Sequence, residues 1–151
     1  MAPSHESWTV ERIGAGDAAK LSQIAPEVFA SAVESRFLEA YLAEPLMLLV
    51  VARAGELVIG QAKCAVHRHP EKPADGYIDD LRVTPEYQRR GVARAMLREV
   101  ERWAGEKGCS DLWLAAEPDN ASATIFYDGF ATAKVCLLYY WNLLTLAPHL
   151  P

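Results

Sequence analysis

The chain carries little of what holds a secreted or membrane-embedded protein together. Its three cysteines, Cys64, Cys109 and Cys136, show no paired spacing and leave one over, so no disulfide framework is expected. The reducing cytoplasm is the simplest home for such a set. The opening MAPSHESW has no basic region followed by an apolar run, and so no secretion signal is expected. The longest apolar run, Leu46 to Ala52, is far too short to span a membrane and reads as a buried strand. Positive charge is in deficit: 15 Lys and Arg stand against 20 Asp and Glu, a net charge of -5. That balance argues against a general nucleic-acid binder and suits a cationic substrate. The nucleotide motifs G-x-x-x-x-G-K-[ST] and G-x-G-x-x-G are both missing. There is no internal repeat, low-complexity run or linker. The 151 residues, 51% hydrophobic and 23% charged, are therefore expected to form one soluble domain over 1–151.

What is present centres on Tyr77 to Trp103, YIDDLRVTPEYQRRGVARAMLREVERW. Ile78, Leu81 and Val83 form a short apolar strand interrupted by Asp79 and Asp80, and Thr84-Pro85-Glu86 stops it. A helix is predicted from Gly91. Val92, Met96, Val100 and Trp103 recur one turn apart with Ala93, Leu97 and Ala104 beside them, and the charged residues take the other face. Gly108 occupies the C-terminal cap position. At the junction, Gln88-Arg89-Arg90-Gly91-Val92-Ala93 places small residues where the backbone enters the helix. Unpaired N–H groups and the positive end of the dipole there favour an anion, and Arg89 and Arg90 add charge.

Along the rest of the chain, Trp8 to Ile13 alternates like a strand, and Asp17 is a plausible N-cap for a helix carrying Leu21, Ile24, Val28 and Phe29, kinked or restarted at Pro26. A second helix is expected over Arg36 to Glu44. Together the two could wall a substrate cleft or simply cover a sheet. Leu46 to Ala52 and Leu57 to Val66 read as strands joined by a turn at Ala54-Gly55-Glu56. Further strands are expected at Asp111 to Ala115 and Val135 to Leu144, with a short helix, Ala121 to Tyr127, capped by Asn120.

This β-α-α-β-β-β-α-β-α-β order combines antiparallel strands with crossovers that demand parallel neighbours. With the Gln88–Ala93 turn matching the Q/R-x-x-G-x-G/A loop, and with Asn120, Ala123 and Tyr127 after the penultimate strand, the chain resembles the GNAT N-acetyltransferases along nearly its whole length. HRHPEKP before the central strand and LLYYW near the end are similar to the aminoglycoside 3-N-acetyltransferase-like branch. The resemblance implies an α/β fold: a GNAT-like mixed sheet, with antiparallel N-terminal strands and a parallel central pair, flanked by helices. It implies acetyl-CoA as co-substrate. The main chain of Leu81, Arg82 and Val83 would bind the pantetheine arm and thioester carbonyl, and the turn formed by Gln88, Arg89, Arg90, Gly91, Val92, Ala93 and Arg94 would hold the pyrophosphate. Asn120 would face the cofactor, and Tyr127 would protonate the leaving thiolate. Only Asp128 and Gly129 separate Tyr127 from Phe130, a shorter interval than the family's, and a clipped helix could re-aim the phenol. The resemblance leaves room for a homodimer.

The implied chemistry needs a base, because an amine is usually protonated at neutral pH and must lose a proton before attacking a thioester. Asp79 and Asp80 are the candidates, and strand alternation would put them on opposite faces. Asp80 is favoured: it immediately precedes Leu81-Arg82-Val83, where the 3-N branch carries its acid, whereas other aminoglycoside-modifying members match Asp79. Each carboxylate could instead pair with Arg82 or hold a strand end. His67 and His69 could share a face as metal ligands, but no third ligand lies near them in sequence, so no metal is expected. Cys109 has no visible base partner. Glu34, Glu39 and Glu44 could attract a polyamine or aminosugar, or simply solvate a helix. The expected function is acetyl transfer to a primary amine of an aminoglycoside-like, polyamine or amino-acid substrate. The alternatives are a non-catalytic acyl-CoA-binding module and a protein N-terminal or lysine acetyltransferase.

Overall fold

The computed structural model describes residues 7–144, which divide into two compact units between Ala115 and Ala116. The first unit holds a six-stranded sheet: β1 (Thr9–Ile13), β2 (Gln23–Ile24), β3 (Met47–Ala54), β4 (Leu57–His67), β5 (Ala74–Val83) and β6 (Cys109–Trp113). The order is β1-β3-β4-β5-β6, with β2 attached to β4. The pairs β1–β3, β3–β4 and β4–β5 are antiparallel, and β5–β6 is parallel. Parallel neighbours need a crossover, which α2 (Val92–Glu106) supplies. The expected mixed sheet is therefore the observed one.

Hydrophobic patterning explains the layers. In β3, Leu48 to Ala52 are all buried, as a strand covered on both faces requires. The apolar stripe of α2, Val92, Met96, Leu97, Val100, Trp103 and Ala104, is buried as its periodicity predicts. Each large side chain in such a stripe contributes about 1.5–3 kcal/mol on burial. Helix and sheet meet closely: a Cβ on Gly60 would lie 3.0 Å from Met96 Cε, and one on Gly76 would lie 3.8 Å from Ala104 Cβ. Gly108 ends the helix at φ 81°, the left-handed region that glycine enters without a Cβ penalty. A second cluster, built on Ile13, Leu21, Val28, Leu49, Val51 and Val58, packs with Leu38, Tyr41 and Leu42 of α1 (Ser35–Leu42).

Two sequence expectations are overturned. No helix runs from Asp17 to Phe29. A 3-10 turn covers Ala18–Leu21, after which Gln23–Ile24 form β2 against Leu57–Val58. The Asp17 carboxylate accepts from Gly14 N at 2.9 Å instead of capping. Pro26 lacks the N–H a helix needs, and Glu27 sits at φ 66°, so the chain takes its hydrogen bonds from β4 instead, with Ala25 N donating to Val58 O at 2.9 Å. The second correction concerns Val135 to Leu144. No strand forms there, and the large apolar side chains from Val135 to Leu144 are exposed. β-propensity without a ladder partner does not make a strand. The second unit contributes α3 (Ala121–Asp128) to the described residues, with Asn120 Oδ1 accepting from Ala123 N at 3.2 Å as its cap.

Candidate active site

β5 loses its parallel neighbour half-way along. Pairing with β6 runs from Ala74 opposite Cys109 to Tyr77 opposite Trp113, and beyond Tyr77 no strand of the described residues lies on that edge. The other edge stays paired to β4 as far as Val83. Thr84 N donates to Ile59 O at 2.8 Å, and the Arg82 carbonyl lies close against Gly60, so these groups face β4. Period-two alternation then turns the N–H and C=O of Leu81 and Val83 to the open edge. Gln88 Nε2 donates to Val83 O at 2.9 Å, and among the described residues no strand pairs with the Val83 N–H or with either group of Leu81.

The turn that follows is built to keep a helix end clear. Pro85–Tyr87 form a 3-10 turn, and the buried Tyr87 anchors it, with the Arg90 guanidinium 5.0 Å over its ring. Arg89 at φ 59° and Gly91 at φ 81° then reverse the chain into α2. The first intrahelical bond is Ala95 N to Gly91 O at 3.0 Å, so the N–H groups of Val92 and Ala93 precede the ladder, and Gly91 at the cap has no side chain to cover them. Around Gly91 there is open space: a Cβ there would meet no heavy atom within 4 Å.

The two candidate carboxylates do not lie on opposite faces. Opposite β4, Lys63 pairs with Asp80 and Cys64 with Ile78, which leaves Asp79 as the extra residue of a β-bulge. The bulge resets the alternation, and both side chains reach groups on the β4 face that carries Gln61 and Lys63. Asp79 pairs with Lys63 Nζ at 3.3 Å and is the more exposed, at 55% against 23% for Asp80. Asp80 accepts from Gln61 Nε2 at 2.8 Å and from Arg82 Nε at 3.0 and 3.1 Å. Gln61 was not among the expected site residues. Its one sequence signal is a lone amide inside the apolar strand LVIGQAKCAV.

Asn120 and Tyr127 belong to the second unit. Asn120 spends its carbonyl on the α3 cap. Tyr127 sits in an edge-to-face cluster with Phe126 and Phe130, with ring centroids 5.0 and 5.8 Å away.

The histidines are drawn into another constellation. His69 Nε2 lies 2.7 Å and His67 Nδ1 3.4 Å from the Asp75 carboxylate, which also accepts from Trp113 Nε1 at 3.0 Å. The Trp113 and His69 hydrogen bonds pull Asp75 down to about 2. Burial pushes the Cys64 thiol up to about 12 and raises Cys109 as well, the reverse of what a nucleophilic thiolate needs. An open groove lined by Leu21, Ile24, Val33 and Leu38 contains none of the carboxylates or the helix-entry turn.

A strand edge without a parallel neighbour among the described residues thus leads through one 3-10 turn into the start of α2. Residues 18–130 match the Acetyltransferase (GNAT) family. The chain belongs to that family. This GNAT chain is 30% identical over 97 residues to N-alpha-acetyltransferase 30 of Xenopus laevis, covering 63% of its own length but 36% of that relative's. Among solved structures, it resembles the aminoglycoside acetyltransferase meta-AAC0020 from an uncultured soil metagenomic sample in complex with trehalose, at TM-score 0.77 and 21% identity over 89% of this chain and 96% of that one. It also resembles AAC(6')-Iy in complex with the bisubstrate analog CoA-S-monomethyl-acetylneamine, at TM-score 0.73 and 18% identity over 90% and 99%. At those identities the structures establish the shared GNAT fold.

Proposed function

We propose that this chain is an acetyl-CoA-dependent N-acetyltransferase, acting as one domain, that acetylates a primary amine of a small aminoglycoside-like, polyamine or amino-acid substrate. The observation that carries the reading is the succession, in one short stretch of chain, of the Leu81–Val83 edge without a parallel neighbour among the described residues and the Val92 and Ala93 N–H groups at the start of α2. An amide-bearing arm can pair with the edge as an added strand, and a diphosphate can sit on the helix end. Arg82 contributes to the edge by bracing Asp80. Gln88 braces the turn through Val83 O.

In the reaction the acceptor nitrogen attacks the thioester carbonyl, forming the C–N bond. Asp80, the less exposed of the two carboxylates, takes the proton the nitrogen gives up, directly or through water, and Asp79 is the alternate. When the intermediate collapses, the C–S bond breaks and the sulfur leaves as thiolate. Tyr127 would supply its proton, with Asn120 facing the cofactor. The Arg89 and Arg90 charges add attraction for the diphosphate.

Similarity to an N-alpha-acetyltransferase favours a second acceptor class, peptide N-termini. One experiment tests both: steady-state thiol release from acetyl-CoA with aminoglycosides, polyamines, amino acids and peptide N-termini. Turnover with a small amine supports the first reading, and turnover confined to peptides supports the second. Acetyl-CoA binding without release for any amine would make the chain a non-catalytic acyl-CoA-binding module.

A further inference from the structure

Gln61 is an amide in the middle of a buried strand, wholly shielded from solvent. Its NH2 group donates twice, to Val28 O at 3.2 Å and to Asp80 Oδ2 at 2.8 Å. Both partners are oxygen acceptors, so the amide can face them only with its nitrogen. The orientation that serves them leaves Gln61 Oε1 buried without a partner among the described residues. A buried carbonyl without a donor opposes folding, and an apolar side chain in this strand would not carry that cost. What the amide supplies instead is a grip on one carboxylate oxygen. Oδ2 of Asp80 is held by Gln61 and Arg82 together, whereas Oδ1 receives Arg82 alone. The anchor at the far side is the Val28 carbonyl, on the segment between β2 and α1, 33 residues before Gln61.

We infer that Gln61 is a positioning residue for the base: it ties Asp80 Oδ2 to the Val28 carbonyl and leaves Oδ1 as the oxygen that receives the acceptor's proton. This rests on the reading of Asp80 as general base. It also makes the aim of that base depend on the segment around Val28, between β2 and α1.

The test is a double-mutant cycle on the full chain, with the amine that the panel shows to be turned over fastest. Gln61→Met keeps the side-chain volume and removes the NH2 donor. It should lower kcat by about 10–100-fold, less than the loss of about 10²–10⁴-fold expected on removing the base itself. KM for acetyl-CoA should change by less than about threefold. Introduced into Asp80→Asn, the same substitution should cost less than about threefold more, because residues acting as a unit are not additive. A merely structural role would carry its full loss into the double variant. That result overturns the inference, as does wild-type kcat in Gln61→Met. If Gln61→Met shows no cooperative unfolding transition, Gln61→Asn is read the same way, since it pulls the amide back from Asp80. Failure of both to fold assigns Gln61 to stability and overturns the inference. A slow Asp80→Asn beside a normal Gln61→Met defeats the role of Gln61 alone. A normal Asp80→Asn defeats Asp80 as base and this inference with it. Absence of turnover in the wild type with every amine defeats the functional reading itself.

Discussion

At the scale of single residues, the chemistry rests on which side chain moves a proton. Asp80→Asn keeps the shape of the carboxylate and removes its basicity, so kcat should fall by about 10²–10⁴-fold while acetyl-CoA affinity stays near normal. Calorimetry and steady-state rates on one preparation separate the two effects. A larger loss in Asp79→Asn would exchange the roles, and Lys63, which pairs with Asp79, would then take the place of Arg82 as the neighbouring cation. Tyr127→Phe keeps the ring in its cluster with Phe126 and Phe130 and deletes the hydroxyl. As thiolate donor it should cost about tenfold in kcat, below the usual general-acid range because a thiol is already a fair leaving group. An unchanged kcat with an unfolding free energy lowered by about 1 kcal/mol would instead make the phenol a structural hydrogen-bonding group.

At the scale of elements, the helix entry and the helix face do different work. Gly91 stands at φ 81° in open space. Gly91→Glu puts a side chain and a negative charge where the diphosphate is proposed to bind, and the left-handed backbone adds about 1–3 kcal/mol of strain. The variant should fold and show no acetyl-CoA binding by calorimetry. Unchanged affinity would remove the turn from the cofactor site. Met96 tests the other side of the same helix. It is fully buried and lies against Gly60 of β4. Met96→Ala should cost about 2–5 kcal/mol of stability, because the close-packed sheet cannot collapse fully into the space left. Chemical denaturation measures that loss. The periodicity of α2 and both its glycine boundaries were legible in the sequence because they are local: one face every 3.6 residues, and a positive φ at each end.

At the scale of the molecule, the response to acid should depend on Asp75. Its folded-state value, about 2, lies below that of an unfolded aspartate, so the folded state gains stability above about pH 4 and loses it as pH falls through about 2. Asp75→Asn removes the titrating group, and its unfolding midpoint should change less between pH 5 and pH 2 than that of the wild type. Trp113 donates to this carboxylate, so its fluorescence should report the loss. Equal acid sensitivity in the two proteins would show that other carboxylates govern it. The β1 strand is fastened to α2 by Arg12, which donates to Glu106 at 2.8 and 3.0 Å and also holds Glu99. These partners lie more than eighty residues away in sequence, and no local pattern announces them.

Local physics determined most of the architecture. Apolar runs, turn glycines and helical period pointed to strands β3 to β5, helix α2 and the cap of α3. The spacing of Gln88 to Ala93 pointed to a helix end able to receive an anion. The tertiary structure decided what depends on a partner. The Asp79 bulge exists only relative to the residue count of β4, so alternation along β5 alone misassigned the face. Gln23 and Ile24 became a strand because β4 offered hydrogen bonds that Pro26 denied to a helix. Val135 to Leu144 has the composition of a strand and no ladder among the described residues. Gln61 looked like an isolated polar residue until folding brought Val28 and Asp80 to its amide. A periodicity is a property of one segment, whereas a register, a bulge or a buried hydrogen bond is a property of two.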